Sequence, residues 1–262
     1  MVRRLVDLSV SLEDKETVPA HHRPSIEYRQ HANTIEAFAQ HHPGVTKADL
    51  PDGMAWASER ITLETHSGTH MDAPWHYHPT MDHALTPGGR RSLTIDEVPL
   101  EWCFQPGVKL DFRNRDPGYV LTDADIRAEL RRIRHDIQPL EIVLINTAAG
   151  AKYGTPEYWE SHCGVGRDAT LFLLHHGIRV VGTDAWGWDA PFRSTAQRWA
   201  QTRDNSILWE GHKAGRDIGY FQMEKLTNLD VLPPAGFTVA CFPVKIEGAS
   251  AGWTRAVAIL GD

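Results

Sequence analysis

The sequence lacks most of the features that mark membrane, secreted and nucleic-acid-binding proteins. No apolar run approaches the roughly 18 residues that a membrane helix needs. The opening MVRRLVDLSVSLEDKE holds two arginines but no apolar core behind them, so no secretory signal is expected. Cysteine is scarce. Cys103, Cys163 and Cys241 are odd in number, widely separated and without a C-x-x-C pair, which excludes a disulfide framework. They read as reduced thiols in or near the core of a cytoplasmic protein. No Lys/Arg-rich block offsets a formal net charge of −7, and Arg127–Arg134 reads as the solvated side of a helix. Neither a nucleic-acid partner nor a membrane partner is expected. G-x-G-x-x-G, the Walker A loop and the G-x-S-x-G elbow are all absent, which removes the usual phosphate cradles and the common serine nucleophile. Cys163 has no recognisable activating partner. There is no internal repeat, low-complexity tract or Gly/Ser linker.

What is present is an ordinary globular composition, with 41% hydrophobic and 23% charged residues over 262 positions. That length suits a single domain spanning 1–262. Residues 13–60 are polar and rich in His and Pro, and read as an irregular segment with one short helix near Asn33–His41. Such a segment is expected to cover a site of its own chain or of a neighbour, and a homodimer or higher homo-oligomer is the expected assembly.

From Arg60 onward the pattern is regular. Ile61–His70 is β-branched and alternating and predicts a strand, and Val108–Phe112 predicts another. Thr122 is placed to cap a helix through about Ile133, with Asp123 and Asp125 in the first turn. Glu141–Thr147 is a compact apolar run typical of a buried strand. Thr155-Pro156-Glu157 carries helix-start signals, and Asp168 is placed to cap a helix that stops at Gly177. Ile178–Thr183 then reads as the next buried strand, giving a βαβ-like unit. Phe237–Ile246 and Trp253–Leu260 predict a closing hairpin. The expected class is α/β.

The chemistry concentrates in His66-Ser-Gly-Thr-His70-Met-Asp72-Ala-Pro-Trp-His76-Tyr-His78. His, His and Asp form a nitrogen–oxygen donor set suited to zinc or manganese. Positions 66, 70, 72 and 76 share parity, so on a strand they share a face. A flat strand would hold His66 and His70 roughly 13 Å apart, so the chain must curl. Gly68 permits that bend, and Pro74 ends regular pairing. A helical H-x-x-x-H reading fails, because Gly68, Thr69 and Pro74 make a poor helix and no H-E-x-x-H is present. The bland alternative is a His-rich exposed loop without a metal. Four His and one Asp in thirteen residues, interleaved with Gly and Pro, argue against it.

The run HSGTHMDAPWH resembles the H-x-G-T/A-H-x-D-A-P-x-H signature of the cyclase family, which includes bacterial kynurenine formamidases and isatin hydrolases. The resemblance extends from Val6-Asp7-Leu8-Ser9 to the closing strands. It implies a mixed sheet curled into a barrel-like core with flanking helices, and a metal-dependent amidohydrolase. By this resemblance His66, His70 and Asp72 bind a divalent metal, Mn or Zn, as one or two ions. His76 is the proton donor and acceptor. His212 and Glu224, twelve residues apart, match the His and Glu that ligate a second or shared metal.

Trp75 lies inside the signature, and Trp186 and Trp188 lie in a loop after a predicted strand. Aromatic side chains there are suited to stacking on a flat, small aromatic substrate. The resemblance to formamidases weakens near the N-terminus, where Val18-Pro19-Ala20-His21-His22-Arg23 replaces a Trp-containing turn. An isatin-like aromatic lactam is therefore the expected substrate. N-formylkynurenine, a lactone, or a polyketide-cyclising role remain the alternatives.

Overall fold

Ile142–Asn146 is buried at every position, as a strand must be when it is flanked by parallel neighbours and covered on both faces. It lies at the centre of a nine-stranded sheet in the computed structural model, which describes residues 4–15 and 22–261. The strands of that sheet, in chain order, are β1 (Arg4–Asp7), β2 (His70–Asp72), β3 (Phe104–Asp111), β4 (Ile142–Asn146) and β5 (Val180–Thr183). They continue with β6 (Phe221–Glu224), β7 (Phe237–Ala240), β8 (Ala251–Trp253) and β9 (Val257–Leu260). Their spatial order is β1-β9-β7-β3-β4-β5-β6-β2-β8.

The four strands β3 to β6 run parallel, and the remaining pairings are antiparallel. All three parallel crossovers carry helices, and in the first two a helix packs on the sheet. One is Asp123–Ile133, whose Thr122 cap accepts from the Asp125 amide in a reciprocal capping box. The other is Arg167–His175. These helices pack Ile126, Leu130, Phe172 and Leu173 against one sheet face, with Val108, Val143 and Val181 beneath them. The opposite face buries Met71, Ile142, Leu144, Val180, Met223 and Val239. The result is the expected α/β architecture, a mixed sheet curled into a half-barrel with helices.

Four details differ from the sequence expectation. The strand predicted over Ile61–His70 is interrupted: one strand ends at Thr62 and β2 begins only at His70. Gly68, at φ 63°, breaks the pairing, and the Thr69 hydroxyl donates to Lys225 O (2.7 Å) and accepts from the Val10 amide (2.9 Å). Asp168 lies within the first turn of its helix, which Gly166 caps, and Thr155–Glu157 opens only a 3₁₀ turn. The closing strands β7 and β9 do pair, but β8 intervenes in sequence and crosses to β2.

Residues fall into two compact units, Met1–Ser11 with Thr65–Asp262, and Leu12–Glu64. The second holds more regular structure than its composition suggests. Ser25–Arg29 pairs antiparallel with Ser58–Thr62, and the expected short helix forms over Ile35–His41. Residues 18–21, where the formamidase pattern weakens, lie outside the described residues. Cys103, Cys163 and Cys241 are buried and free. Among the described residues, no helix is long and apolar enough to cross a membrane.

Candidate metal centre

The pairing of β2 with β6 builds the site. Asp72 lies opposite Gln222, Met71 opposite Met223, and His70 opposite Glu224. Alternation sends both Met side chains into the core and sets His70, Asp72, Gln222 and Glu224 on the other face. Strand β8 flanks β2 on its far side, and Ser250 just before it brings its hydroxyl to 3.1 Å from His66 Nε2.

The bend at Gly68 solves the reach problem posed by the sequence spacing. His66 Nδ1 stands 2.9 Å from Asp72 Oδ1, and His70 Nε2 stands 3.2 Å from the same oxygen and 3.6 Å from Glu224 Oε2. Ligands bonded at about 2.0–2.2 Å around a tetrahedral ion are separated by roughly 3.3–3.6 Å. His70 orients itself through Nδ1, 2.9 Å from Gly68 O, which leaves Nε2 facing the carboxylates.

His70 Nε2 and Asp72 Oδ1 are buried without a hydrogen-bond partner. Orphaned buried polar atoms are costly, and here they converge with Glu224 Oε2 on one point. Burial works against ionisation of Asp72, but His70 and His66 hold its carboxyl well below the usual range. Glu224 is likewise lowered despite burial and the nearby Asp72 charge, by His212, Lys225 and His70. Two buried carboxylates kept charged beside two imidazoles suit a divalent cation with N and O ligands.

His76 stands on the single helical turn Pro74–Tyr77, which Pro74 opens at a position where no amide donor is lost. Its ring centre lies 4.2 Å from that of His66 and 5.8 Å from that of His212. Burial pushes its pKa down to about 4, so the ring is neutral at ordinary pH. His78 is turned away from the cluster, with Nδ1 2.9 Å from Thr80 O.

His212 and Glu224 do meet across the fold, with Nε2 3.5 Å from Oε1. The His212 ring is aimed by Asp189, whose carboxylate takes Nδ1 and also accepts from the Gly211 and His212 amides. Sequence reading missed Asp189. It also missed Gln222, whose amide lies between the two carboxylates, and Trp209, stacked on His212 at 4.5 Å and edge-on to His76 at 5.0 Å. Trp209 adopts φ 60°, a left-handed conformation that a bulky side chain rarely takes. Its place three residues before His212 was the one available signal.

The three predicted tryptophans separate. Trp75 shares the turn with His76 and is 42% exposed. Trp186 is half-buried, against Trp159 at 3.5 Å and with Lys225 Nζ 3.9 Å from its ring centre. Trp188 is a correction. It is 1% exposed, with its indole N–H donated to Thr170 Oγ1 (2.9 Å), so its ring packs the core rather than a ligand. Its backbone amide does serve the site, donating to Glu224 Oε1 (3.2 Å). Burial also pushes the Cys163 thiol up to about 12, which removes it as a nucleophile.

Residues 6–190 match the sequence model of a family described as a putative cyclase, and the chain belongs to that cyclase family. A kynurenine formamidase of Salinibacter ruber (strain DSM 13855 / M31) is 28% identical over 197 residues, covering 75% of this chain and 77% of its own. Among solved structures, an isatin hydrolase bound to the product analogue thioisatinate superposes with a TM-score of 0.73 at 22% identity, covering 99% of this chain and 93% of its own. A potential metal-dependent hydrolase with cyclase activity gives 0.62 at 20% identity, with all of both chains covered. The solved structures share the fold, and the proteins named are a formamidase, an isatin hydrolase and a potential metal-dependent hydrolase with cyclase activity.

Proposed function

We propose that this protein is a metal-dependent hydrolase of an aromatic cyclic amide, with its ion held by His66, His70, Asp72 and Glu224. The observation that carries the reading is the convergence of His70 Nε2 and Asp72 Oδ1, both buried without a hydrogen-bond partner, with Glu224 Oε2. A divalent ion supplies Lewis acidity, lowering the pKa of a water towards neutrality and polarising a carbonyl. Manganese and zinc both suit the donors.

The chain's own residues do the rest. His76, neutral and close to His66, takes the proton of the attacking water on a ring nitrogen and returns it to the departing amide nitrogen. No side-chain nucleophile is needed. Asp189 fixes the His212 ring, and the Trp188 amide fixes Glu224. Trp209, edge-on to His76, gives its surroundings an aromatic character suited to a planar substrate, and Trp75 stands exposed on the same helical turn. Opening a lactam fused to an aromatic ring would leave an aromatic amino acid with a new carboxylate.

A second reading, hydrolysis of an arylformamide, is favoured by the similarity to the Salinibacter ruber kynurenine formamidase. Elemental analysis followed by assays against a panel of aromatic lactams, formamides and lactones, with and without chelator, tests both. Turnover lost on chelation and restored by Mn or Zn supports the hydrolase. Affinity without turnover on every compound would overturn it in favour of a binding role.

A further inference from the structure

Each carboxylate of the centre offers only one oxygen to the donor set just described. Asp72 Oδ1 and Glu224 Oε2 face His66 and His70. The other two oxygens face His212 Nε2, which lies 3.9 Å from Asp72 Oδ2 and 3.5 Å from Glu224 Oε1. Those three atoms form a second nitrogen–oxygen donor set. Two sets sharing two carboxylates is the arrangement by which hydrolases hold a pair of ions roughly 3.5–4 Å apart.

In this chain the second set already has an occupant. Gln222 Nε2 donates to Glu224 Oε1 at 2.8 Å and to Asp72 Oδ2 at 3.3 Å, and it lies 2.7 Å from His212 Nε2. One amide nitrogen thus touches all three donor atoms. The strand register puts it there. Gln222 is paired with Asp72 across β6 and β2, and it shares a face with Glu224 two residues on. The side chain is fully buried, and Tyr220 OH donates to its Oε1 at 3.0 Å, so the carboxamide is held at both ends. The opposite orientation would set Oε1 against two carboxylate oxygens and is repulsive.

We propose that the Gln222 carboxamide takes the place of a second ion and makes this a one-ion centre, in which His212 is a positioning residue. The proposal rests on the reading that the first donor set holds an ion. An amide brings two N–H dipoles but no net charge. Asp72 and Glu224 therefore keep both negative charges for a single divalent cation, which they balance. Removing the carboxamide opens His212 Nε2, Asp72 Oδ2 and Glu224 Oε1 to an ion together, with the Trp188 amide still on Glu224 Oε1.

The test counts ions. Metal-free protein is loaded with Mn(II), the bound metal per chain is measured by equilibrium dialysis with elemental analysis, and the electron paramagnetic resonance spectrum is recorded. The unsubstituted chain should bind one Mn and give the spectrum of isolated ions. Gln222→Ala and Gln222→Ser should bind two and give the spectrum of a spin-coupled pair. Adding His212→Ala to Gln222→Ala should return the count to one, whereas His212→Ala alone should keep one. Two ions in the unsubstituted chain, or one ion in both Gln222 variants with unchanged melting temperature, overturns the proposal. No ion in the unsubstituted chain overturns the first donor set itself, so the two failures are distinguishable. If neither variant folds, the count on the unsubstituted chain still decides.

Discussion

His70 and Glu224 are partners across the antiparallel β2–β6 pair, and His70 Nε2 lies 3.6 Å from Glu224 Oε2. They are 154 positions apart in the sequence and have no pattern in common. Their register alone makes one donor set of them, and Asp72 completes it from the same strand as His70. The expected behaviour of the protein follows from that set.

Asp72→Ala should abolish stoichiometric metal binding and activity together, because Asp72 Oδ1 is shared by His66 and His70. Metal content after dialysis, measured beside turnover, checks this. An Asp72→Ala protein that keeps both its ion and its rate would show that the ion lies elsewhere.

His76→Ala should keep the ion and lose about 10²–10⁴-fold in turnover, the usual range for removal of a general acid–base group. His76 lies as near to His66 and Asp72 as a ligand would, so the measurement has to separate the two roles. Loss of metal along with rate would make His76 a ligand instead.

Isatin, or a close bicyclic lactam, should be opened with kcat/KM at least about tenfold above that for N-formylkynurenine. That ratio corresponds to about 1.4 kcal/mol of differential transition-state binding, within reach of one or two aromatic contacts. Steady-state assays of both compounds on one metal-loaded sample decide it. The reverse ratio would establish the arylformamide reading.

Trp188→Ala should act on stability before it acts on substrate binding. The side chain is wholly buried and its N–H is paired with Thr170, so truncation should cost about 3–5 kcal/mol. Denaturant unfolding measures that loss. A stable variant with only a raised KM would return Trp188 to the substrate pocket.

Much of this was legible because it is local. The apolar run around Ile142–Asn146 announces a buried strand by composition, and Thr122 with Asp125 announces a helix start by spacing. HSGTHMDAPWH announces its donors because ligand chemistry restricts residue types within a short stretch. The bend between His66 and His70 was legible too, since only a curled chain brings them to one ion. The interruption of the strand up to His70 was not, because the Thr69 hydroxyl bonds to Lys225 and Val10, residues far away in sequence.

By itself the sequence determined which side chains can hold a cation and take a proton, because His, Asp and Glu carry that chemistry wherever they stand. Tertiary structure alone decided which atoms meet. Asp189 is an ordinary acid in a loop until the fold sets it on His212 Nδ1. Trp188 and Trp186 are alike in sequence, yet one is sealed in the core and the other stands beside Lys225. Gln222 reads as a strand residue of no special kind. Pairing with Asp72 places its amide among three donor atoms drawn from three separate stretches of chain. Such contacts depend on strand register, which is set by the burial of whole faces such as Met71 and Met223, and no short pattern in the sequence encodes it.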